Sequence, residues 1–293
     1  MTKEEISALT GTKTIYGYRQ LTSVPDQEVK EYISRTRALF APISRSFNND
    51  LHTEWFIREY LALKYILAAT VMGTSARYGR TKNLQITTPY LHYMMMLNCC
   101  RAFIFSLPCS EWDGVKSIEM THGKIINLST NGLARISKCV KDLHADRLSR
   151  ARSQREAFSY RFPGQGLKVF NSSLLSFEEA LDTAQLLCDL SQANFACLES
   201  SVRKHSNPPF KITYNSAIWD LVGPEGELSE FIDSDDSHRV SYFIRKHDRP
   251  CELSGLATEG LIEDFFGAWQ IDEEDADGAY NPDQEWDLLI DVN

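Results

Sequence analysis

The chain lacks the short motifs that announce common chemistries. It has no Gly-x-Ser-x-Gly elbow, no His-Glu-x-x-His pair and no dinucleotide fingerprint. Gly164-Gln165-Gly166 is without the Lys-Ser/Thr of a phosphate loop and follows no predicted strand, so it reads as a turn. Asp233, Asp235, Asp236 and His238 miss the glycine and closing Glu of a calcium loop, and they read as a solvated acidic loop. None of the seven cysteines forms a Cys-x-x-Cys pair, and Cys99, Cys100, Cys188 and Cys197 sit in apolar helical pattern. They read as reduced, buried thiols of a cytoplasmic protein. A zinc set of His92, Cys99, Cys100 and Cys109 has no ligand-pair spacing behind it, so neither a metal nor a cofactor is expected.

Long apolar runs are also missing. Tyr90 to Leu107 is the longest, and His92, Asn98 and Arg101 interrupt it. It therefore reads as a core helix and not as a membrane span, which needs about 20 apolar residues. The N-terminal MTKEEISALTGTKT has no basic-then-apolar plan of a signal peptide. There are no internal repeats.

What is present is an ordinary globular composition, 43% hydrophobic and 24% charged over 293 residues, with an uneven charge distribution. The net charge is −9, yet residues 271–293 hold nine Asp/Glu and no Lys/Arg, so the rest of the chain is balanced. Four parts are expected: an irregular lead-in at 1–26, a helical domain at 27–205, a small mixed appendage at 206–270 and the acidic tail. Tyr280, Trp286, Leu288, Leu289 and Ile290 lie among the tail's acids and suggest a segment that docks, on the basic ridge of its own chain, which it would screen, or on a partner. The alternative is a flexible end with a short terminal strand.

The helical part reads as follows. Helices fit 27–41, ended by Pro42, and 51–72, stopped by Gly73, with a basic loop after it. The next starts at Thr88-Pro89 and is apolar nearly all round, so it belongs at the centre. A helix at 122–144 is interrupted at Ser129 to Gly132. The longest, 177–204, opens on a capping box of Ser176 and Glu179 and carries an apolar stripe from Phe177 to Val202. That stripe serves core packing or, on a third functional reading, self-association into a homo-oligomer. Beyond Asn207-Pro208-Pro209 come two β-like runs, Phe210–Tyr214 and Val240–Ile244, and a short helix at 258–269. The fold class is mostly α, a helical bundle with a small mixed C-terminal appendage.

Between Lys138 and Lys168 lie eight Lys/Arg against three acids. On a helix from about Asp146 to Tyr160, Leu148, Ala151 and Phe158 define a buried side. Arg147, Arg150 and Arg161 then form a ridge that suits phosphate or a protein partner, with Arg152 on the other flank and Lys168 beyond. The alternative is that these arginines pair with the chain's own acids, Asp142, Asp146 or the tail. Arg155 projects inward and must find an anionic or hydrogen-bonding partner. Tyr160 follows it five residues later, and His122, at the start of a helix, faces it as a third candidate site residue or merely stabilises a turn.

The helix order, the apolar central helix and the later arginine-bearing helix resemble the HEPN superfamily of helical nucleases and their inactive relatives. The stretch TPYLHYMMMLNCCRAFIFSLP with Thr121-His122-Gly123 is similar to the YaaC-like family, and the likeness covers about residues 85–165. The resemblance implies a HEPN-like bundle and an Arg-x(4–6)-His nuclease motif. At the matching place stands Arg155-Glu156-Ala157-Phe158-Ser159-Tyr160, with tyrosine where histidine belongs, and a tyrosine of pKa about 10 is a poor base near neutrality. The literal spacing occurs instead at Arg45 and His52, as chance alone would supply. The resemblance therefore implies a non-catalytic binding subunit engaging RNA or a protein, in a prokaryotic defence or toxin–antitoxin type assembly. A metal-independent ribonuclease using Arg155 with His122 or Tyr160 is the alternative.

Overall fold

The computed structural model describes residues 1–206, 225–226, 228–247, 249–270 and 279–290, with the backbone alone at 171–172. The helices are α1 (Lys3–Thr10), α2 (Asp26–Arg45), α3 (Asn49–Thr81), α4 (Thr88–Ser106), α5 (Gly114–Ile118), α6 (His122–Leu133), α7 (Lys138–Glu156), α8 (Phe177–His205), α9 (Ser234–Lys246), α10 (Leu253–Leu256) and α11 (Glu259–Gly267). The protein is mostly α, and the described residues contain no strand.

α4 occupies the middle, as its all-round apolar surface demands. It packs chiefly on α3 and α8, with α6 and α7 against its remaining side, while α2 lies on α8. Two glycines inside helices allow close approaches. A Cβ on Gly132 would come within 2.6 Å of the Phe103 ring, and one on Gly73 within 2.9 Å of the Met95 sulfur and 2.7 Å of Leu288. This explains two departures from the sequence reading: α3 runs through Gly73 to Thr81, and α6 contains Ser129 to Gly132. Both glycines serve helix contact, and the break in the predicted 122–144 helix falls at 134–137, where Ser137 caps α7.

Several polar side chains within this core are tied to one another or to backbone. Tyr32 donates to Asn194 at 2.8 Å, Asn194 to Ser106 at 2.9 Å and Ser106 to the Phe103 carbonyl, linking α2, α8 and α4. Arg58, 2% exposed, stacks on Trp55 and donates to the carbonyls of Phe105 and Leu107 at the C-terminal end of α4. Burial brings its pKa down to about 10, against the opposing pull of Glu54. Asp189 in α8 accepts from the backbone of Gln20 and Leu21 at 2.7 and 2.9 Å, anchoring the chain before α2.

The ends of the chain are built differently from the sequence expectation. The lead-in contains α1, opened by a Thr2/Glu5 capping box and packed on α8 and α2. Val240–Ile244 is helical: Val240, Phe243 and Ile244 share the buried face of α9, a spacing that also reads as alternation over five residues. Asp233 and Asp236 form the capping box of that helix, and Asp236 is buried in an ion pair with Lys64, so this stretch is not a solvated acidic loop. The predicted strand Phe210–Tyr214 lies outside the described residues, as do 271–278 of the tail. Residues 279–290 dock in cis as a strap on α3 and α8. Tyr280 bonds Thr74, Ser75 and the Val71 carbonyl, Gln185 and Arg19 donate to the Leu288 carbonyl, and Leu288, Leu289 and Ile290 are buried. α8 is likewise enclosed: its stripe from Phe177 to Val202 packs on α4, α2 and their neighbours. Among the described residues no helix is long and apolar enough to cross a membrane.

Candidate functional site

The arginines of α7 divide into two sets. Arg147 faces Asp182 at 3.6 Å, and Arg150 binds Asp146 at 2.9 Å and also Glu179. Glu179 and Asp182 stand in the first turns of α8, so the predicted ridge is largely neutralised from within. Among the described residues the partners are Asp146 and the acids of α8. Arg161 and Lys168 are exposed.

The second set lies one turn on. Arg152 bonds Glu156 at 2.8 Å along its own helix. Arg155 turns inward, as its place on the helix requires. It meets aromatic rings there: its guanidinium carbon lies 5.7 Å from the Tyr93 ring centre and 5.4 Å from that of Tyr160, with a long 3.5 Å contact to the Tyr160 hydroxyl. Its Nε is buried without a hydrogen-bond partner, and among the described residues it has no carboxylate in salt-bridge contact.

Tyr93, 1% exposed, joins this arginine to histidine. Its hydroxyl lies 3.0 Å from His122 Nδ1, the rings being 5.6 Å apart. Thr121 caps α6 and sets His122 in its first turn. Partial burial lowers the His122 pKa below its ordinary 6.5, and the guanidiniums of Arg101, Arg155 and Arg152 lower it further, so the imidazole is neutral at pH 7. Arg101 reaches the group from α4, held by a 3.1 Å bond to Tyr65 and stacked on that ring, with its own Nε buried and unpaired. Tyr93 is pushed up by burial, which outweighs the opposing effect of Arg155 and Arg152.

After Glu156, α7 ends in a π-turn, Ala157–Arg161, closed by a 2.8 Å bond from Phe162 N to Ala157 O. Phe162 has φ 40°, a left-handed conformation that costs a bulky residue of order 1–3 kcal/mol. The turn displays Tyr160 and Phe162, 74% and 67% exposed, beside the arginines. Wide turns of this kind recur at functional sites.

The structure thus gathers Arg155, Tyr160, Arg152 and His122, and separates them electrostatically from Arg147 and Arg150. Tyr93 and Arg101 complete the group, and sequence reasoning missed both. The available signal was Arg101 itself, a cation in an otherwise apolar helix. The Arg45/His52 spacing brings nothing together: His52 is fully buried between Phe47 and Phe56, and Arg45 is exposed. Among the described residues no cluster of three or more His, Cys, Asp or Glu is arranged to hold a metal ion, and Cys99 faces Cys188 across 3.6 Å. No protein-family model, curated protein or solved structure matches the chain.

Proposed function

We propose that this protein binds single-stranded RNA through the cleft between α4, α6 and α7, with a phosphate at Arg101, Arg152 and Arg155. The observation that carries this reading is the charge around His122: every charged group acting on it is a guanidinium. Glu156 pairs with Arg152, whereas Arg101 and Arg155 meet no carboxylate in salt-bridge contact among the described residues, so the cleft has room for a further anion. Tyr160 and Phe162 suit stacking of unpaired bases, each worth about 1–3 kcal/mol where it occurs. In this reading the protein is a binding subunit of HEPN-like character, and the defence or toxin–antitoxin setting follows from the sequence resemblance.

The test is fluorescence polarisation with a labelled mixed-sequence RNA oligomer over a salt series. Expected are salt-dependent binding, a loss of about tenfold or more in Arg155→Ala and a change of less than about threefold in Arg150→Ala. Absence of binding at low salt, with capture of a protein by the same surface, would replace RNA by a protein partner.

One observation favours a second reading, metal-independent cleavage: His122 is neutral at pH 7 with Tyr93 on its Nδ1, a poised proton acceptor near Arg155. Tyr160 is exposed, with only a long 3.5 Å contact to Arg155, and is the weaker candidate. RNA cleavage that persists in EDTA and disappears in His122→Ala would establish it.

A further inference from the structure

A cavity of about 460 Å³ opens where the end of α3, the start of α4, the 3-10 turn Gly166–Ser173 and the start of α8 meet. Its walls are Leu167, Leu174, Leu175, Phe177 and Leu181, with Ala76 from α3. His92, 4% exposed, lies against Phe177 with its ring 5.6 Å away. Burial brings the His92 pKa down to about 4, against the opposing effect of Glu178, so the interior is uncharged at neutral pH.

The mouth is different in character. Arg77 and Arg80 line it against a single lining carboxylate, Glu178. Arg77 stacks over Phe177 at 5.0 Å and pairs with Glu285 of the C-terminal strap at 2.8 Å. Arg80 meets Glu178 only at 3.7 Å, both side chains being at least 70% exposed. Pairs so open to water are weak and exchange readily. A guanidinium that keeps its fork free for a carboxylate or phosphate gains stronger, paired hydrogen bonds.

We propose that this cavity is a binding site for an amphipathic anion, an apolar acyl- or alkyl-sized body with one acidic head held by Arg77 and Arg80. The body fills the leucine-lined interior, where a charged group would lie unpaired, and the head stays at the mouth. The head is a carboxylate or a phosphate monoester, which the geometry of two adjacent guanidiniums serves equally. Because Arg77 is shared with Glu285, the ligand and the strap compete for one side chain. The site stands apart from the RNA-binding cleft, though His92 and Tyr93 place the two on neighbouring faces of α4.

The full chain is titrated calorimetrically with decanoate, decyl phosphate and decanol, each below its aggregation limit. Expected is saturable one-to-one binding of one or both anions and at least about tenfold weaker binding of the alcohol. The anion that binds tighter identifies the head group. Arg80→Ala, at an exposed position that leaves folding intact, weakens the anion about tenfold, whereas Glu285→Gln strengthens it about threefold by freeing Arg77. Leu181→Trp fills the cavity and abolishes binding. Decanol binding as tightly as the anions, or affinity unmoved by Arg80→Ala, would overturn the proposal, as would the absence of saturable binding of either anion.

Discussion

Two halves of one helix carry the same residue type in opposite circumstances. Arg147 and Arg150 face α8, whose first turns supply Asp182 and Glu179. Those acids also suit the positive end of the α8 dipole, so they are favoured there whether or not the arginines bind them. Arg152 and Arg155 face α4 and α6, which offer tyrosine rings, a histidine and a further arginine. Charge density along the sequence does not separate these halves. What separates them is which helix N-terminus each one packs beside.

The largest effect should come from removing the set that no acid of a neighbouring helix pairs, Arg152 meeting only Glu156 of its own helix and Arg155 no carboxylate among the described residues. Arg152→Ala with Arg155→Ala should weaken RNA binding about a hundredfold and make the salt slope shallower by about 1.4, the value for two phosphate contacts on a single strand. The same pair of changes at Arg147 and Arg150 should move affinity less than about threefold. Polarisation titrations at three salt concentrations check both, and equal losses from the two pairs would dissolve the distinction.

A compensated carboxyl extends the comparison to stability. Burial raises the Asp189 pKa from 3.8 to about 7, against the lowering effect of the backbone N–H groups it accepts from. Between about pH 4 and 7 the folded protein keeps this proton and the unfolded chain has lost it. Stability should therefore fall as pH rises through that window, by up to about 1.4 kcal/mol per unit. Asp189→Asn should flatten the dependence in urea melts. Glu59, fully buried and pushed well up by burial, with Glu199 and Glu252 adding to it, should act in the same direction.

A smaller effect is expected from loosening the compensated set. Glu179→Gln should cost about 1 kcal/mol in denaturant unfolding, because the side chain is partly exposed and the pair screened, while raising RNA affinity slightly by freeing Arg150. The smallest is the titration of His122. Its pKa lies below 6.5, so RNA affinity should rise only as pH falls beneath that value and the imidazolium joins the arginines. His122→Asn should remove that rise, a few-fold at most, in polarisation assays at pH 5 and 7.

Part of this architecture is legible in the sequence. The apolar run at 90–107 marks the central helix, Ser176 and Glu179 form the capping box that opens α8, and the helical position of Arg155 turns it inward. The misreadings have definite causes. Gly73 and Gly132 look like breakers because glycine is usually costly in a helix, yet here each lets another helix or the strap approach. Val240–Ile244 satisfies both the strand and the helix spacing, and only the capping box before it decides. The cleft is half legible: Arg155, Tyr160 and His122 stand out in the sequence, whereas Tyr93 is hidden in an apolar helix and Arg101 shows there only as a lone cation.

The sequence alone determined the helical content, the position of the central helix and the inward turn of Arg155, since these depend on side chains within a few residues of one another. Tertiary structure decided which arginines are neutralised, that the end of the acidic tail is a strap on α3 and α8, and that Tyr93 joins His122 to Arg155. Those outcomes rest on distances between residues far apart in the chain. Ion pairs and hydrogen bonds form only when their atoms come within a few ångströms, so only the packing of helices selects the partners.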